Sequence, residues 1–247
     1  MTPAEPGRGR AATVRLGLIG DNIRDSRSPD LHRLAGQLCG LDVEYTLLVP
    51  RELGMSFDEI FDRCRADGLN GVNITYPYKE QVIGRLASRN ADVARVGSSN
   101  TVVFAPGGPV GHNTDYLGFI DAYDAHFHGQ SAGRVAIVGA GGVGRAIAFA
   151  LAALGSSELR VIDTDRERAG KLGTALSELP HAPAVRVESD IASALRDADG
   201  VVNCTPIGMF GRPGSAVPAH LFGGQSWAFD AVSPPIEPEL LRAARAA

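Results

Sequence analysis

The chain has 247 residues, of which 44% are hydrophobic and 21% are charged, and its formal net charge is −4. This length accommodates one large domain or two small ones with a packed core. The mixed charges form no basic stripe, which argues against a nucleic-acid partner, and no apolar run is long enough for a membrane span. Three widely separated cysteines, Cys39, Cys64 and Cys204, favour the reducing cytoplasm over a disulfide framework or a metal site.

Polar and small residues fill positions 1–12, where we expect a disordered lead-in. Apolar, β-branched runs then alternate with helical patterns. In the first half we predict strands at 14–19, 43–49, 71–75, 101–104 and 110–112, and helices at 29–39, 57–66, 80–87 and from Asp115. Ser28 is the predicted N-cap of the first helix and Gly40 its end.

The second half continues the alternation. We predict strands at 135–138, 159–162, 185–188, 200–204 and 228–232, and helices after the glycine turn, at 166–179, at 191–198 and from Pro238. Alternating strands and helices predict parallel sheets with crossover connections. The fold class is therefore α/β, and the helix from Asp115 is the natural bridge between two halves.

A glycine-rich turn follows the strand at 135–138. Gly139, Gly141 and Gly144 give G-x-G-x-x-G between a strand and a helix, and the next strand ends on Asp163. This order is the fingerprint of a dinucleotide-binding unit, in which the glycines permit a tight turn and the helix N-terminus faces a pyrophosphate. A purely structural turn, with Asp163 as a plain acid at a strand end, is the alternative.

The loops of the first half carry hydroxyl, amide, lysine and carboxylate groups that suit a polyhydroxylated, carboxylated small molecule. They are Ser26, Ser28, Thr75, Lys79, Asn100, Thr101, Asn113 and Asp115. Thr75 and Lys79 should lie on a turn at the carboxyl end of a strand, because Pro77 stops that strand, and ligands bind at this edge of α/β sheets. The alternative is that Ser28 and Asp115 only cap helices and Lys79 is only a solvated residue.

Five segments in the same order resemble the motifs of shikimate and quinate dehydrogenases. They are IGDNIRDSRSP, NITYPYK, GSSNT, GHNTDYLG and NCTPIGM, and the resemblance covers about 16–241. It implies an amino-terminal α/β domain for substrate and catalysis at 13–113, a Rossmann-type doubly wound parallel-sheet domain at 114–232, and a terminal helix at 233–247 that returns to the first domain.

The resemblance also implies the chemistry. A ring hydroxyl is oxidised, with Lys79 as the acid/base group and Asp115 as its partner. Ser26 and Ser28 are implied to bind the substrate carboxylate, and Thr75 and Asn100 the ring hydroxyls. The implied dinucleotide ligands are Gly139, Ala140, Gly141, Gly142, Val143, Gly144, Asp163, Arg168, Cys204, Thr205, Pro206 and Met209.

Asp163 carries the cofactor prediction. NADP-linked members of this family have N-R-T/S at the end of the second strand, with arginine on the 2′-phosphate, whereas this chain has IDTDR. A carboxylate there accepts hydrogen bonds from ribose hydroxyls and repels a phosphate. We therefore expect NAD, and Arg166 and Arg168 keep NADP open as an alternative.

The chain departs from the family pattern at three places. Ser98 and Ser99 replace alanine and valine, which should change packing around Asn100 and leave the chemistry intact. Ser233 stands where a tyrosine usually contacts substrate. The chain also stops at Ala247, short of the last helix and its G-x-x-M-L-x-x-Q motif.

His126 and His128 have no third ligand nearby, so we predict no metal site.

These observations predict an oxidoreductase that interconverts shikimate or quinate with the 3-dehydro compound and acts as a homodimer or monomer without nucleic-acid or membrane partners. The resemblance links this reaction to aromatic amino acid biosynthesis or to quinate catabolism. Rival hypotheses are an NADP-linked biosynthetic shikimate dehydrogenase, an aminoshikimate-type dehydrogenase, and a catalytically silent dinucleotide-sensing protein. Lys79 and Asp115 argue against the sensor, which has little use for a proton-transfer pair.

Overall fold

The computed structural model describes residues 12–209, 211–232 and 235–247. The strands are β1 (Thr13–Ile19), β2 (Asp42–Leu48), β3 (Gly71–Ile74), β4 (Ser88–Arg89), β5 (Thr101–Ala105), β6 (Gly108–His112), β7 (Arg134–Val138), β8 (Glu158–Ile162), β9 (Ala184–Val187), β10 (Gly200–Asn203) and β11 (Trp227–Asp230). The helices are α1 (Ser28–Leu38), α2 (Pro50–Leu53), α3 (Phe57–Ala66), α4 (Ala91–Val96), α5 (Thr114–Phe127), α6 (Gly142–Ala153), α7 (Arg166–Ser177), α8 (Ile191–Leu195) and α9 (Glu239–Ala246). Two 3-10 turns lie at Gln81–Arg85 and Ala219–Leu221.

The chain divides into a first unit, Met1–Asn113, and a second unit, Thr114–Ala247. The first unit contains a six-stranded sheet in the order β2-β1-β3-β5-β6-β4. β1 pairs in parallel with β2 and β3, whereas β5 pairs antiparallel with β3 and β6. The sheet is therefore mixed, which corrects the expectation of parallel sheets only. The short connection between β5 and β6 forms a hairpin, and a hairpin forces antiparallel pairing.

Helix α3 covers one face of the first sheet. The four apolar residues at helical spacing, Phe57, Ile60, Phe61 and Cys64, are all buried against Ile19, Val72 and Ile74. Ser56 begins the helix with a capping box, because its hydroxyl accepts from the Glu59 N–H while the Glu59 carboxylate accepts from the Ser56 N–H. The predicted bounds and buried face of this helix are confirmed.

The second unit contains a five-stranded parallel sheet in the order β11-β10-β7-β8-β9. The order reverses between β7 and β10, which makes it a Rossmann-type doubly wound sheet with its ligand crevice outside the carboxyl ends of those strands. The predicted α/β fold class is confirmed. The terminal helix α9 is part of this unit, with Leu240 buried beside Val217 and Phe222.

Two local predictions for the first unit are wrong. Residues 80–87 do not form an α-helix: Ser88 pairs with β6, and the short segment before it forms one 3-10 turn at Gln81–Arg85. Ser28 is not an N-cap, since α1 begins at Ser28 and Arg27 precedes it without a side-chain cap. The Ser28 N–H donates instead to Ser26 Oγ at 3.2 Å.

None of the described helices is both long and apolar enough to cross a membrane. Helices α7 and α8 end two to three residues before their predicted ends, at Ser177 and Leu195. The short elements α2, α4 and β4 were not predicted, because two to six residues without a strong period give little signal.

Candidate functional site

One edge of the first sheet gathers five of the residues selected from sequence. β1 and β3 are parallel neighbours, so their carboxyl ends meet at one edge, and antiparallel β5 begins there. The loops at this edge carry Ser26, Ser28, Thr75, Lys79 and Asn100, all partly buried. We name this the hydroxyl edge.

Thr75 has its position set by Gly20. The Thr75 N–H donates to the Ile19 carbonyl at 3.0 Å, immediately past the end of β3. A Cβ on Gly20 would overlap the Thr75 methyl group and would come within 3.0 Å of Ile23. Glycine at position 20 therefore leaves the space that the Thr75 side chain occupies.

A tyrosine joins the two loops of the hydroxyl edge. The Tyr78 hydroxyl donates to Asp21 Oδ1 at 2.7 Å, and the Asp21 N–H donates to the Tyr76 carbonyl at 3.1 Å. Burial, and then the neighbouring Asp21 carboxylate, raises the pKa of Tyr78 to about 12. The phenol therefore keeps its proton at neutral pH, and its hydrogen bond to Asp21 fixes the position of Tyr78, the residue before Lys79.

Two serines that depart from the family pattern are fully buried behind Lys79 and Asn100. The Ser99 N–H donates to the Lys79 carbonyl at 2.8 Å, and its hydroxyl lies 2.8 Å from the His112 carbonyl. Asn113 Nδ2 donates to the Ser98 carbonyl at 2.9 Å. Ser98 and Ser99 therefore brace the backbone that carries Lys79 and Asn100.

Sequence reasoning missed two polar side chains at the hydroxyl edge. Tyr45 on β2 donates its hydroxyl to Asn73 Oδ1 on β3 at 2.7 Å. Burial raises the pKa of Tyr45 to about 12. Asn73 lies within the NITYPYK segment, and an asparagine inside an apolar strand was a signal that could have found it.

In the second unit the glycine turn follows β7. Gly139 has φ +102°, a conformation that favours glycine, and a Cβ there would come within 2.9 Å of the Cys204 backbone. A Cβ on Gly144 would overlap the Gly139 carbonyl oxygen. Both glycines are thus required by close backbone approach, as the fingerprint predicts.

Gly141 differs from its two neighbours in the motif. It is the N-cap of α6, with no side-chain cap, and no atom lies within 4 Å of the position that a Cβ would take. Gly142 and Val143 form the first helical turn and are partly exposed. The amide groups of a helix N-terminus are positioned for a phosphate group.

The Asp163 carboxylate lies beside this turn and accepts two backbone hydrogen bonds. Its Oδ2 accepts from the Ala140 N–H at 2.7 Å and its Oδ1 from the Asp165 N–H at 2.8 Å. Asp165 caps α7 by accepting from the Arg168 N–H at 3.0 Å. The exposed Arg168 guanidinium lies 3.7 Å from the same Asp165 carboxylate, which offsets part of its positive charge.

The segment after β10 is organised by Asn203, which is fully buried. The Thr205 hydroxyl donates to Asn203 Oδ1 at 2.7 Å, while Asn203 Nδ2 donates to the Ile207 carbonyl and to Asp230 Oδ1 at 3.1 Å and 3.0 Å. The Cys204 N–H donates to the Val138 carbonyl at 2.7 Å. Cys204, Thr205, Pro206 and Met209 therefore lie on the loop next to the glycine turn.

Asp115, Ser233 and His126 are further residues selected from the sequence. Asp115 is the second residue of α5 in the second unit, whereas Lys79 belongs to the first unit. Ser233 lies outside the described residues. His126 Nδ1 lies 3.0 Å from the Ala122 carbonyl one helical turn before it. Across the described ranges, no group of three or more His, Cys, Asp or Glu side chains could hold a metal ion.

Comparison with known families matches both units. Residues 18–102 match the shikimate dehydrogenase substrate binding domain. Residues 134–220 match a family described as NADP oxidoreductase, coenzyme F420-dependent.

Individual relatives match over nearly the whole chain. The quinate/shikimate dehydrogenase (NAD(+)) of Corynebacterium efficiens is 38% identical over 240 residues, covering 95% of this chain and 84% of the relative. The shikimate dehydrogenase (NADP(+)) of Pseudarthrobacter chlorophenolicus is 37% identical over 242 residues, covering 96% and 83%. Quinate dehydrogenase from Corynebacterium glutamicum, solved in complex with NAD, superposes with a TM-score of 0.82 at 36% identity and covers 95% of this chain and 86% of that chain.

Proposed function

Because the chain belongs to the shikimate dehydrogenase family of NAD(P)-dependent oxidoreductases, we propose that it interconverts quinate or shikimate with the 3-dehydro compound and prefers NAD to NADP. The observation that carries the cofactor preference is the Asp163 carboxylate beside the uncapped turn at Gly141. Relatives with either cofactor share similar identity with this chain, so its own residues must decide between them.

The turn in the second unit fits a dinucleotide. The space at Gly141 and the amide groups of Gly142 and Val143 suit a pyrophosphate, and Asp163 can accept hydrogen bonds from ribose hydroxyls. Thr205, Pro206 and Met209 are the proposed contacts on the nicotinamide side. When bound, NAD supplies the acceptor for a hydride.

The preference for NAD rests on charge. A 2′-phosphate beside Asp163 would meet a carboxylate that already accepts two backbone hydrogen bonds and is therefore held in place. Arg168, one of the two cations that could offset this repulsion, lies 3.7 Å from Asp165. Both observations favour the diol of NAD over the phosphate of NADP.

The hydroxyl edge fits the substrate. We assign Ser26 and Ser28 to the carboxylate, and Thr75 and Asn100 to ring hydroxyls, because hydroxyl and amide groups match both in hydrogen bonding. Lys79 is the acid/base group at the reacting oxygen, and Asp115 is the second member of the proton-transfer pair. General acid–base catalysis of this kind contributes about 10² to 10⁴ in rate.

The direct test follows the absorbance of the reduced cofactor with shikimate, with quinate and with aminoshikimate, each supplied with NAD and with NADP. We expect turnover with NAD and at least one substrate, and a lower kcat/KM with NADP. A higher kcat/KM with NADP would overturn the cofactor assignment and favour the NADP-linked biosynthetic enzyme. Turnover of aminoshikimate alone would favour that rival, and absence of turnover with all three substrates would favour the dinucleotide sensor.

A Lys79→Ala variant tests the catalytic assignment. We expect kcat to fall by about 10² to 10⁴ while the dissociation constant for NAD stays unchanged, because Lys79 belongs to the substrate unit. Arg51, an exposed cation on α2, provides the matched control as Arg51→Ala. A Lys79→Ala rate equal to that of the control would remove Lys79 from the mechanism.

For the assembly we favour the homodimer over the monomer because α1 carries a leucine stripe, Leu31, Leu34 and Leu38, that is 63%, 56% and 82% exposed. These residues lie opposite the buried Gly36, at the 3-4 spacing of an apolar helix stripe. In an antiparallel pair of α1 helices, Leu31 would meet Leu38 of a second copy, and each copy would present the same stripe to the other.

Sedimentation velocity over a concentration series tests the dimer. One helix pair buries less area than a standard interface, so we expect reversible dimers that a Leu34→Glu variant converts to monomers. Leu117→Glu, at an exposed leucine of the second unit, is the matched control and should leave the distribution unchanged. Wild-type protein that stays monomeric throughout would refute the dimer. We also propose a cytoplasmic location, because three widely separated cysteines suit a reducing compartment.

A further inference from the structure

A directional chain of hydrogen bonds runs through the first unit, and three of its members have no role in the function proposed above. It begins at the Tyr45 hydroxyl, which donates to Asn73 Oδ1 at 2.7 Å. Asn73 Nδ2 then donates to Thr101 Oγ1 at 3.1 Å, and Thr101 Oγ1 donates to Asn100 Oδ1 at 3.1 Å. We name Tyr45, Asn73 and Thr101 the relay.

In the relay, the donor and acceptor of each hydrogen bond determine which group donates in the next hydrogen bond. The Tyr45 phenol keeps its single proton at neutral pH, because burial raises its pKa to about 12, and this proton goes to Asn73 Oδ1. The Asn73 carboxamide must then direct its NH₂ group to Thr101. Thr101 accepts that bond, so its own proton is available for Asn100 Oδ1. The Asn100 carboxamide consequently has its oxygen toward Thr101 and its NH₂ group on the opposite side.

The relay is held by the sheet and by α1. Tyr45 and Asn73 lie on the strands that flank β1, in register with Leu16 and Leu18, so both side chains are on the same face. Tyr45 is only 6% exposed, and the His32 ring of α1 packs against it with a centroid distance of 4.7 Å. A rotation of the Asn73 or Thr101 side chain would break two hydrogen bonds in a partly buried setting, which costs about 1 to 3 kcal/mol for each unsatisfied group.

We propose that Tyr45, Asn73 and Thr101 are positioning residues that orient the Asn100 carboxamide, so that its NH₂ group donates to a ring oxygen of the substrate. Asn100 would therefore recognise that ring oxygen as a hydrogen-bond acceptor. The proposal rests on the proposed function in one respect only, the assignment of Asn100 as a substrate ligand.

Two substitutions of Thr101 separate orientation from packing. Thr101→Val keeps the shape and removes the hydroxyl, whereas Thr101→Ser keeps the hydroxyl and removes a methyl group. We expect Thr101→Val to raise the KM for quinate or shikimate about tenfold, the equivalent of 1.4 kcal/mol, and to leave the KM for NAD unchanged. Thr101→Ser should retain the wild-type KM. The reverse order, with serine worse than valine, would show that Thr101 acts by packing and would overturn the proposal.

Tyr45→Phe tests the far end of the relay. We expect the KM for quinate or shikimate to rise, as in Thr101→Val. The rise in KM in the double variant Tyr45→Phe/Thr101→Val should be smaller than the product of the two single effects, because both substitutions break the same relay. Independent, multiplying effects would contradict the relay. Thr46→Val, which removes an exposed hydroxyl from β2, is the matched control and should leave both KM values unchanged.

NMR of the wild-type protein and its variants provides a readout that is independent of turnover. We expect the side-chain NH₂ resonances of Asn100, assigned by their loss in Asn100→Asp, to shift in Thr101→Val and Tyr45→Phe but not in Thr46→Val. Unshifted resonances would refute the relay even if the wild type turns over substrate. Shifted resonances in a protein without turnover would support the relay and refute the proposed function.

Discussion

The hydroxyl edge of the first sheet and the glycine turn of the second are built by different means. At the hydroxyl edge, hydrogen bonds join side chains to each other: Tyr78 donates to Asp21, and Tyr45 donates to Asn73. At the glycine turn, the contacts are between backbone atoms, and even Asp163 is held by the Ala140 and Asp165 amides.

This difference matches the two ligands proposed for them. A pyrophosphate needs amide groups and space, which backbone atoms supply when Cβ atoms are absent. A carboxylated polyol needs donors and acceptors at separate points, which only side chains supply in the required variety. Substitutions at the turn should therefore act mainly through sterics, whereas those at the hydroxyl edge should act through hydrogen-bond direction and side-chain position.

The largest effect is expected for Gly144→Ala. Its Cβ would overlap the Gly139 carbonyl, a backbone atom that cannot move alone. We expect a loss of more than about 3 kcal/mol in the free energy of unfolding, at the upper limit of overpacking. Urea unfolding measures it, with Gly118→Ala, in open space on α5, as the control. A Gly144→Ala protein as stable as this control would refute the close packing of the turn.

Gly141→Ala should separate binding from stability at the same turn. No atom lies near the added methyl group, so we expect a loss of only about 0.5 kcal/mol from the poorer N-cap. The methyl group would fill the approach to the amides and raise the dissociation constant for NAD at least about tenfold. Titration calorimetry with NAD measures this. Unchanged affinity would mean that the pyrophosphate does not approach at Gly141.

The glycine turn depends on the Asp163 side chain, and two substitutions separate the charge of this side chain from its hydrogen bond to Ala140. Asp163→Asn removes the charge and keeps an acceptor for the Ala140 N–H, but its NH₂ group cannot accept from the Asp165 N–H, so the ratio of NADP to NAD affinity should rise about tenfold with a smaller loss in Tm than in Asp163→Ala. Asp163→Ala removes both and should also lower Tm. An affinity ratio that is unchanged in Asp163→Asn would refute the charge argument.

Backbone requirements were the part of this protein that the sequence predicted best. Gly139, Gly141 and Gly144 were selected from their spacing between a strand and a helix, and the structure shows a steric reason for glycine at Gly139 and Gly144 and open space at Gly141. The four-residue buried face of α3 was predicted for a similar reason, since helical periodicity fixes which side chains share a face.

Pairwise side-chain contacts could not be predicted in this way. Tyr45 and Asn73 are 28 positions apart, and Asp21 and Tyr78 are 57 apart, so that only the strand register brings them together. Ser28 was assigned to the N-cap because the local pattern fits one, whereas Ser26 accepts from its N–H. The antiparallel hairpin of β5 and β6 was read as part of an alternating pattern because local periodicity does not determine strand direction.

A smaller effect is expected at the hydroxyl edge for Gly20→Ala, whose methyl group would displace the Thr75 side chain. We expect the KM for quinate or shikimate to rise several-fold. The free energy of unfolding should fall by about 1 kcal/mol, at the low end for overpacking. Thr75→Ser lacks the overlapping methyl group and should restore the stability of Gly20→Ala. Gly17→Ala, which meets a movable leucine methyl at 3.1 Å, is the control. No recovery of stability in the double variant would refute the steric link to Thr75.

The smallest effect is expected for Asp230→Asn at the end of β11. Burial raises the pKa of Asp230, its Oδ1 accepts from Asn203 and Val232, and within the described ranges its Oδ2 has no hydrogen-bond partner. An acid whose pKa is raised by folding destabilises the native state as the pH rises from the unfolded pKa, near 3.9, through the folded one.

Asparagine keeps the Oδ1 acceptor and removes the charge, so Asp230→Asn should raise Tm by about 1 °C at pH 7. This gain should shrink as the pH falls toward 4, because the aspartate then becomes neutral as well. Calorimetric scans between pH 4 and 7 measure the trend. A gain that grows at low pH would contradict the burial argument and would mean that the charged carboxylate stabilises the loop that Asn203 organises.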